Sequence, residues 1–437
     1  LSNPEGNTEN RAILVTGGRQ LSGEVAASGA KNSALPLICA SVLADGPVTL
    51  TNVPRLDDVL SICELLESLG AKCAFDGGSL TIDPTSITRQ DAPYELVRRM
   101  RASFLVLGPL LAKFGHAEVP LPGGCNIGPR PVDEHLRALG EMGAEIEFKK
   151  GVVYAGAKKL RGEQVYFNIT SVGATENVVM AAMGAEGVTV LENCAEEPEV
   201  ADLVNFLRSL GADIKTPGSK RLEVRGGLAL KQREPYSIIP DRIEAGTFLL
   251  AVAATGGGGT VKRCEPAHLT ALTEKLREMG VGLRAEGNDI TLAPNGRLKA
   301  TKVRTQPYPG FPTDLQPQIT TVLTMAQGVS VVTESVFEQR FSYLPELKRM
   351  GANIIQQDNA AIVDGTGVRL TGAPVDGYDL RGVAAMTIAG LMAQGETLIR
   401  GFGHLVRGYE DFIAKMEGLG ADIRLVDKDY ELKNNHG

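Results

Sequence analysis

The twelve residues at 64–75, ELLESLGAKCAF, hold the end of a helix, a turn glycine at Gly70 and the start of a strand. The arrangement returns five times, as ALGEMGAEIEF at 138–148, FLRSLGADIK at 206–215, KLREMGVGLR at 275–284, ELKRMGANII at 346–355 and KMEGLGADIRL at 415–425. The turn glycines Gly70, Gly143, Gly211, Gly280, Gly351 and Gly420 follow one another at spacings of 73, 68, 69, 71 and 69 residues. Each closes an amphipathic run, as Leu60, Cys63, Leu66 and Leu69 do in the first copy, and suits the left-handed position past a helix C-terminus.

Outward from this unit, a second helix precedes each copy: SALPLICASVLADGPVTL at 33–50 is the first, and VAAMTIAGLMAQGETLI at 383–399 the last. These helices are apolar nearly all round, so each belongs inside a domain. Every repeat thus reads as helix, strand, helix and a strand pair, and a period near seventy is too long for the usual solenoids. Six copies fit two threefold α/β domains, three βαβαββ-type repeats in each. The pattern breaks at Pro240-Asp241-Arg242, and strands near 12–26 precede the first inner helix. The expected domains are 31–239, carrying the loop around Cys125, and a discontinuous one of 11–30 plus 240–437.

A chain of 437 residues with 43% hydrophobic and 22% charged content is globular and large enough for two or three cores. Its net charge of -7 argues against a general nucleic-acid binder, and the absence of Trp removes the usual base-stacking platform. Any basic site is therefore local and aimed at a small anion. The six cysteines have no CxxC or Cys/His ligand spacing and read as reduced thiols of a cytoplasmic protein without a zinc site. Residues 1–10 show no secretory signal, and apolar runs such as 35–44 are too short to insert in a membrane. No GxxxxGK is present, and Gly256 to Gly259 lack the strand-helix context of a dinucleotide site, so no cofactor is expected.

Functional residues are sought where the copies differ. The first copy runs twelve residues from Gly46 to Asp58, and the second eighteen from Gly115 to Asp133. The six extra residues belong to PGGCNIGPRPVD at 122–133, a Gly/Pro-dense loop that carries Cys125 and Arg130. An inert turn residue is the commoner state of a lone intracellular cysteine, but a loop lengthened in one copy of six favours function over packing. The inner helices begin at Lys31-Asn32, Arg101, Ser171, Asp241-Arg242, Asp314 and Arg381. A helix N-terminus prefers anions, so Lys31, Arg101 and Arg381 there imply a ligand anion that completes the site. Arg340, Arg407 and Glu410 are further candidates after later strands.

These stretches resemble the enolpyruvyl transferases over about 13–423. The resemblance rests on SGAKNSALP at 28–36, MRASFLVLGPLLAKFG at 100–115, PGGCNIGPRPVD at 122–133, SVGATEN at 171–177, EPEVAD at 197–202, PDRIEAGTF at 240–248, FPTDLQ at 311–316 and RGYE at 407–410. It implies an inside-out α/β barrel in each half, with the active site in the cleft between the halves. It also implies transfer of enolpyruvate from phosphoenolpyruvate to the 3'-hydroxyl of UDP-N-acetylglucosamine, which opens peptidoglycan synthesis. The cysteine loop separates this branch from the enzymes of aromatic biosynthesis that share the fold.

By the same resemblance Cys125 delivers a proton and is the target of fosfomycin, Asp314 accepts the hydroxyl proton, and Lys31, Arg130 and Arg407 clamp phosphoenolpyruvate. Asn32 and Val336 would contact the amino sugar. Arg101, Arg130, Pro131, Val132, Asp133, Glu134, Ser171, Val172 and Gly173 would hold the nucleotide, and Arg381 completes the substrate-binding set. Ile169 stands where some members have a lysine near the uridine, which points to the alternative of a different acceptor. A catalytically silent regulatory paralogue is the other alternative, against which stand Cys125, Asp314, Lys31 and Arg407 together.

Overall fold

The structure, a computed structural model, describes residues 8–123 and 132–432. They form a mixed α/β fold that divides into two compact units, one of residues 29–123 and 132–239, the other of residues 8–28 and 240–432.

In the first unit the helices Lys31–Ala40, Leu107–Phe114 and Val172–Ala182 are buried along nearly their whole length. The helices Asp57–Leu69, Asp133–Glu141 and Pro198–Ser209 present one apolar face to that core. Three sheets surround them. In one, Tyr236–Ser237 runs parallel to Val48–Thr51, which pairs antiparallel with Ser79–Asp83 and through it with Lys72–Asp76. Gln164–Tyr166, Val188–Glu192, Arg221–Arg225 and Asp213–Gly218 repeat that order. His116–Pro120, Val152–Gly156 and Glu145–Lys149 form a three-stranded version, and a lone parallel bridge from Asp91 to Glu118 stands where the others have a fourth strand.

One inner helix departs from the sequence expectation. Arg101 does not open an α-helix: Arg101–Val106 is a 3-10 segment, and the α-helix begins at Leu107. Pro109 has no N–H to donate, and the ordinary bond from Gly108 N–H to the Phe104 carbonyl is replaced by the amide of Asn177. Its Oδ1 accepts from Gly108 N at 2.6 Å and its Nδ2 donates to Phe104 O at 3.1 Å. The approach is so close that a Cβ on Gly108 would lie 2.2 Å from the Asn177 carbonyl oxygen.

The second unit repeats the plan with the buried helices Arg242–Ala254, Gln316–Leu323 and Leu380–Met392 packed on one another. Their threonines would be costly orphans inside an apolar core. Each instead donates back to a carbonyl one turn earlier: Thr247 to Ile243, Thr320 to Gln316, Thr321 to Pro317 and Thr387 to Val383, at 2.8 to 3.0 Å. The three sheets again pair one parallel edge with antiparallel neighbours. The strand Arg11–Thr16 lies between Glu396–Arg400 and Asp422–Asp427, and Ser22–Ala26 runs parallel to Gly258–Lys262. Lys302–Arg304 likewise runs parallel to Val329–Thr333.

Gly70, Gly143, Gly211, Gly280, Gly351 and Gly420 have φ between +86° and +110°, the backbone region where a side chain is strained. Among the described residues no helix is long and apolar enough to cross a membrane. Asn177→Leu removes both bonds at the 3-10 junction and strips the buried Gly108 N–H of its acceptor, while Phe104 O keeps the Leu107 N–H, so urea denaturation is expected to show a loss of about 2 kcal/mol. A loss below about 1 kcal/mol would mean that the junction is held by apolar packing alone.

Candidate functional site

Lys31 is the first residue of its helix, preceded by Ala30, which offers no side-chain cap. It is buried, and its Nζ lies 3.2 Å from Asp58 Oδ2 at the start of the Asp57–Leu69 helix. Both partners are buried, and a desolvated charge is stabilised by an opposite charge close by. Asn32, next in the helix, is half-buried, as is Arg101 on the 3-10 segment.

Asp133 and Glu134 open the Asp133–Glu141 helix, where the macrodipole favours acids. The Glu134 carboxylate is already engaged: Oε1 accepts from Asn168 Nδ2 at 3.1 Å, and Oε2 from Asn168 N at 3.0 Å and Arg137 Nη2 at 2.8 Å. Burial opposes its charge, but Arg137 and Asn168 outweigh it and hold the group below the usual carboxylate range. Glu134 therefore fastens residue 168 to the helix, beside the exposed Ile169. Ser171 caps the Val172–Ala182 helix by accepting from Ala174 N. Val172 and Gly173 form its half-buried first turn, and Val132 is buried.

His135 lies beneath that turn. Asn177 Nδ2 reaches its Nδ1 at 3.1 Å, its ring meets Phe104 edge-on, and a Cβ on Gly173 would come 3.3 Å from its Cε1. Nδ1 accepts, so the neutral ring carries its proton on Nε2. Burial, with Arg101 adding to it, pushes the imidazole down to about 3.

In the second unit Asp314 lies on the 3-10 turn Thr313–Leu315. Its Oδ1 accepts from Arg340 Nη2 at 3.0 Å, and its Oδ2 from Arg381 Nε at 3.2 Å and Nη2 at 3.0 Å. Both guanidiniums are only 2% exposed, whereas the carboxylate side chain is 27% exposed. Two fixed guanidiniums thus hold one carboxylate, and Asp241 adds a second negative charge acting on Arg381. Arg381 is the second residue of a helix capped by Asp379, whose Oδ1 accepts from Arg381 N and Gly382 N.

Val336 is exposed on a turn shaped by Glu334. Glu334 Oε1 accepts from Thr305 Oγ1, Val336 N and Phe337 N, and Oε2 accepts from Thr313 Oγ1, the residue before Asp314. Arg407 is half-buried after the Phe402–Leu405 helix; burial, and then its charge, lower the pKa of His404.

Cys125, Arg130 and Pro131 lie outside the described residues. Of the remaining thiols, burial pushes Cys39 up, Cys194 up to about 12 and Cys264 up to about 11. A hydrogen bond with Cys73, together with burial, raises Cys63. Among the described residues no group of three or more His, Cys, Asp or Glu side chains is placed to hold a metal.

Sequence reasoning had not assigned Asp58 or Glu334 and had left Arg340 among secondary candidates. Asp58 sits in an Asp-Asp pair that looks like an ordinary helix opening, and the role of Glu334 depends on contacts 21 and 29 residues away.

The family profile described as EPSP synthase (3-phosphoshikimate 1-carboxyvinyltransferase) matches residues 15–416. The chain belongs to this enolpyruvyl transferase family. Among curated members, it is 48% identical to UDP-N-acetylglucosamine 1-carboxyvinyltransferase of Halothermothrix orenii, over 95% of this chain and 99% of that one. It is 49% identical to the Nitratidesulfovibrio vulgaris protein of the same name, over 94% and 98% of the two chains. Among solved structures of the family, the enolpyruvyl transferase NikO from Streptomyces tendae superposes with a TM-score of 0.87 at 26% identity, covering 95% of this chain and 99% of that one. EPSP synthase from Acinetobacter baumannii superposes at 0.74 with 20% identity, covering 95% and 100%, a likeness of fold.

His135 gives this enolpyruvyl transferase a pH signature. The imidazole titrates near 6.5 when unfolded and about 3 when folded, so the unfolded chain binds the extra proton between those values. The stability it contributes is complete above pH 6.5 and falls as pH drops. Wild type should lose roughly 2 to 3 kcal/mol relative to His135→Asn between pH 7 and pH 4.5 in chemical denaturation. A difference that stays flat with pH would mean that the folded imidazole titrates normally.

Proposed function

We propose that this protein transfers the enolpyruvyl group of phosphoenolpyruvate to the 3'-hydroxyl of UDP-N-acetylglucosamine with release of phosphate, the committed step of peptidoglycan synthesis, in the cytoplasm and without a cofactor. The observation that carries the reading is 46 to 49% identity, over 94 to 95% of the chain, to three relatives that bear that enzyme name. The finer architecture we infer is three βαβαββ-type repeats per unit, each unit an inside-out barrel. The six positive-φ turn glycines and the recurrent sheet order support it.

In the proposed mechanism the 3'-hydroxyl attacks C2 of phosphoenolpyruvate, its proton passes to Asp314, and Cys125 delivers a proton to C3. The tetrahedral adduct then loses a C3 proton and inorganic phosphate, which restores the carbon–carbon double bond. The chemistry moves charge on a compact polyanion, so guanidinium and ammonium groups dominate the assigned set. Lys31, Arg130 and Arg407 would hold the phosphate and carboxylate, with Arg381 beside Asp314. Asn32 and Val336 would meet the amino sugar. Arg101, Pro131, Val132, Asp133, Glu134, Ser171, Val172 and Gly173 would meet the nucleotide, and Glu134 would act through the backbone it fastens. A different acceptor is the second reading, and Ile169, where some members have a lysine near the uridine, is what favours it.

Phosphate release should depend on UDP-N-acetylglucosamine and be absent with other acceptors, shikimate 3-phosphate included; release with another acceptor alone would reassign the substrate. Fosfomycin should add one adduct, mapped to Cys125 by peptide mass analysis and lost in Cys125→Ser. The raised thiols of Cys39, Cys63, Cys194 and Cys264 are poor nucleophiles. An adduct elsewhere, or none in an active enzyme, would remove Cys125 from the mechanism.

A further inference from the structure

Tyr409 is 2% exposed and carries a hydroxyl into the core of the second unit. Its oxygen lies 2.9 Å from Thr247 Oγ1 and 3.2 Å from Gln318 Nε2, and the centroid of its ring is 5.2 Å from the guanidinium carbon of Arg381. These three partners stand on the three inner helices, Arg242–Ala254, Gln316–Leu323 and Leu380–Met392. The direction of the bonds follows from proton counting. Thr247 has one hydroxyl proton, and its oxygen donates to the Ile243 carbonyl at 2.8 Å. The phenol must therefore donate to Thr247, while its own lone pairs accept from Gln318.

The guanidinium of Arg381 is thereby fixed twice. Its edge engages Asp314 Oδ2 through Nε and Nη2, and its face lies over the Tyr409 ring. Without the ring the plane could turn about the Cδ–Nε bond and misalign the fork. The ring itself is wedged against Phe412, which stacks on Phe248. Next to it, Gly408 passes so near the start of the Leu380–Met392 helix that a Cβ would lie 2.5 Å from Leu380 Cδ1. Arg407, joined directly to Gly408, is carried by the same anchorage.

We propose that Tyr409 is a positioning residue for enolpyruvyl transfer: it sets the plane of Arg381 against Asp314 and the place of Arg407, and it touches no substrate. The proposal rests on the function read above. Its ring lies over the Arg381 guanidinium, and its hydroxyl both bonds that side chain and ties the junction of the three helices.

The test uses the purified full-length protein with phosphoenolpyruvate and UDP-N-acetylglucosamine. Tyr409→Phe keeps the ring and should lower kcat/KM for phosphoenolpyruvate by about threefold to tenfold; Tyr409→Leu removes the ring as well and should lower it by about a hundredfold. KM for the nucleotide sugar should stay within about twofold in both, a split that general destabilisation would not produce. The Arg381 Nε–H resonance, assigned by its loss in Arg381→Lys, should move in Tyr409→Leu, and Thr247→Val should reproduce the smaller kinetic effect of Tyr409→Phe. Should Tyr409→Leu not fold, Tyr409→Phe and Thr247→Val decide by the same split. Unchanged phosphoenolpyruvate kinetics per folded molecule, or equal losses for both substrates, would overturn the proposal. If wild type itself transfers nothing to the nucleotide sugar, the functional reading fails, and an unmoved Arg381 resonance in the variants would separately defeat the positioning claim.

Discussion

Two arginines, Arg340 and Arg381, each 2% exposed, share the single carboxylate of Asp314. A guanidinium cannot shed its proton to escape burial, so each must be matched where it lies, and removing a partner from such a pair typically costs about 3 to 5 kcal/mol. Much of the second unit serves that constraint. The 3-10 turn presents Asp314, Glu334 ties Thr313 to the turn that displays Val336, and the Asp379 cap starts the helix that carries Arg381.

The first unit solves a smaller version of the same problem. Lys31 and Asp58 form one buried pair there. Asn177 replaces a missing helical bond and also donates to His135, which burial keeps neutral beneath Gly173. The half-buried turn at Ser171, Val172 and Gly173 is thus supported by uncharged contacts.

The periodic features were legible in the sequence because each has a local cause. A turn glycine past an amphipathic helix announces its conformation within a dozen residues, and an apolar helix announces its burial. Lys31 and Arg381 could be picked out because they place charge against the helix dipole, whereas Asp314 was reached through the resemblance of FPTDLQ. Asp58, Glu334 and Tyr409 could not be valued that way. Their roles are defined by partners 21 to 162 residues away, which no local pattern encodes. The 3-10 start at Arg101 was hidden for the same reason, since Pro109 permits a helix and only the distant Asn177 amide diverts it.

The central claim is that Asp314, held by two buried guanidiniums, takes the proton of the attacking hydroxyl. Its most direct test is the kcat of Asp314→Asn, which keeps the shape and one acceptor of the carboxylate but cannot serve as a base. The account predicts a fall of about 10² to 10⁴ in enolpyruvyl transfer, with the nucleotide sugar still bound. A kcat within about tenfold of wild type in the folded variant would contradict it.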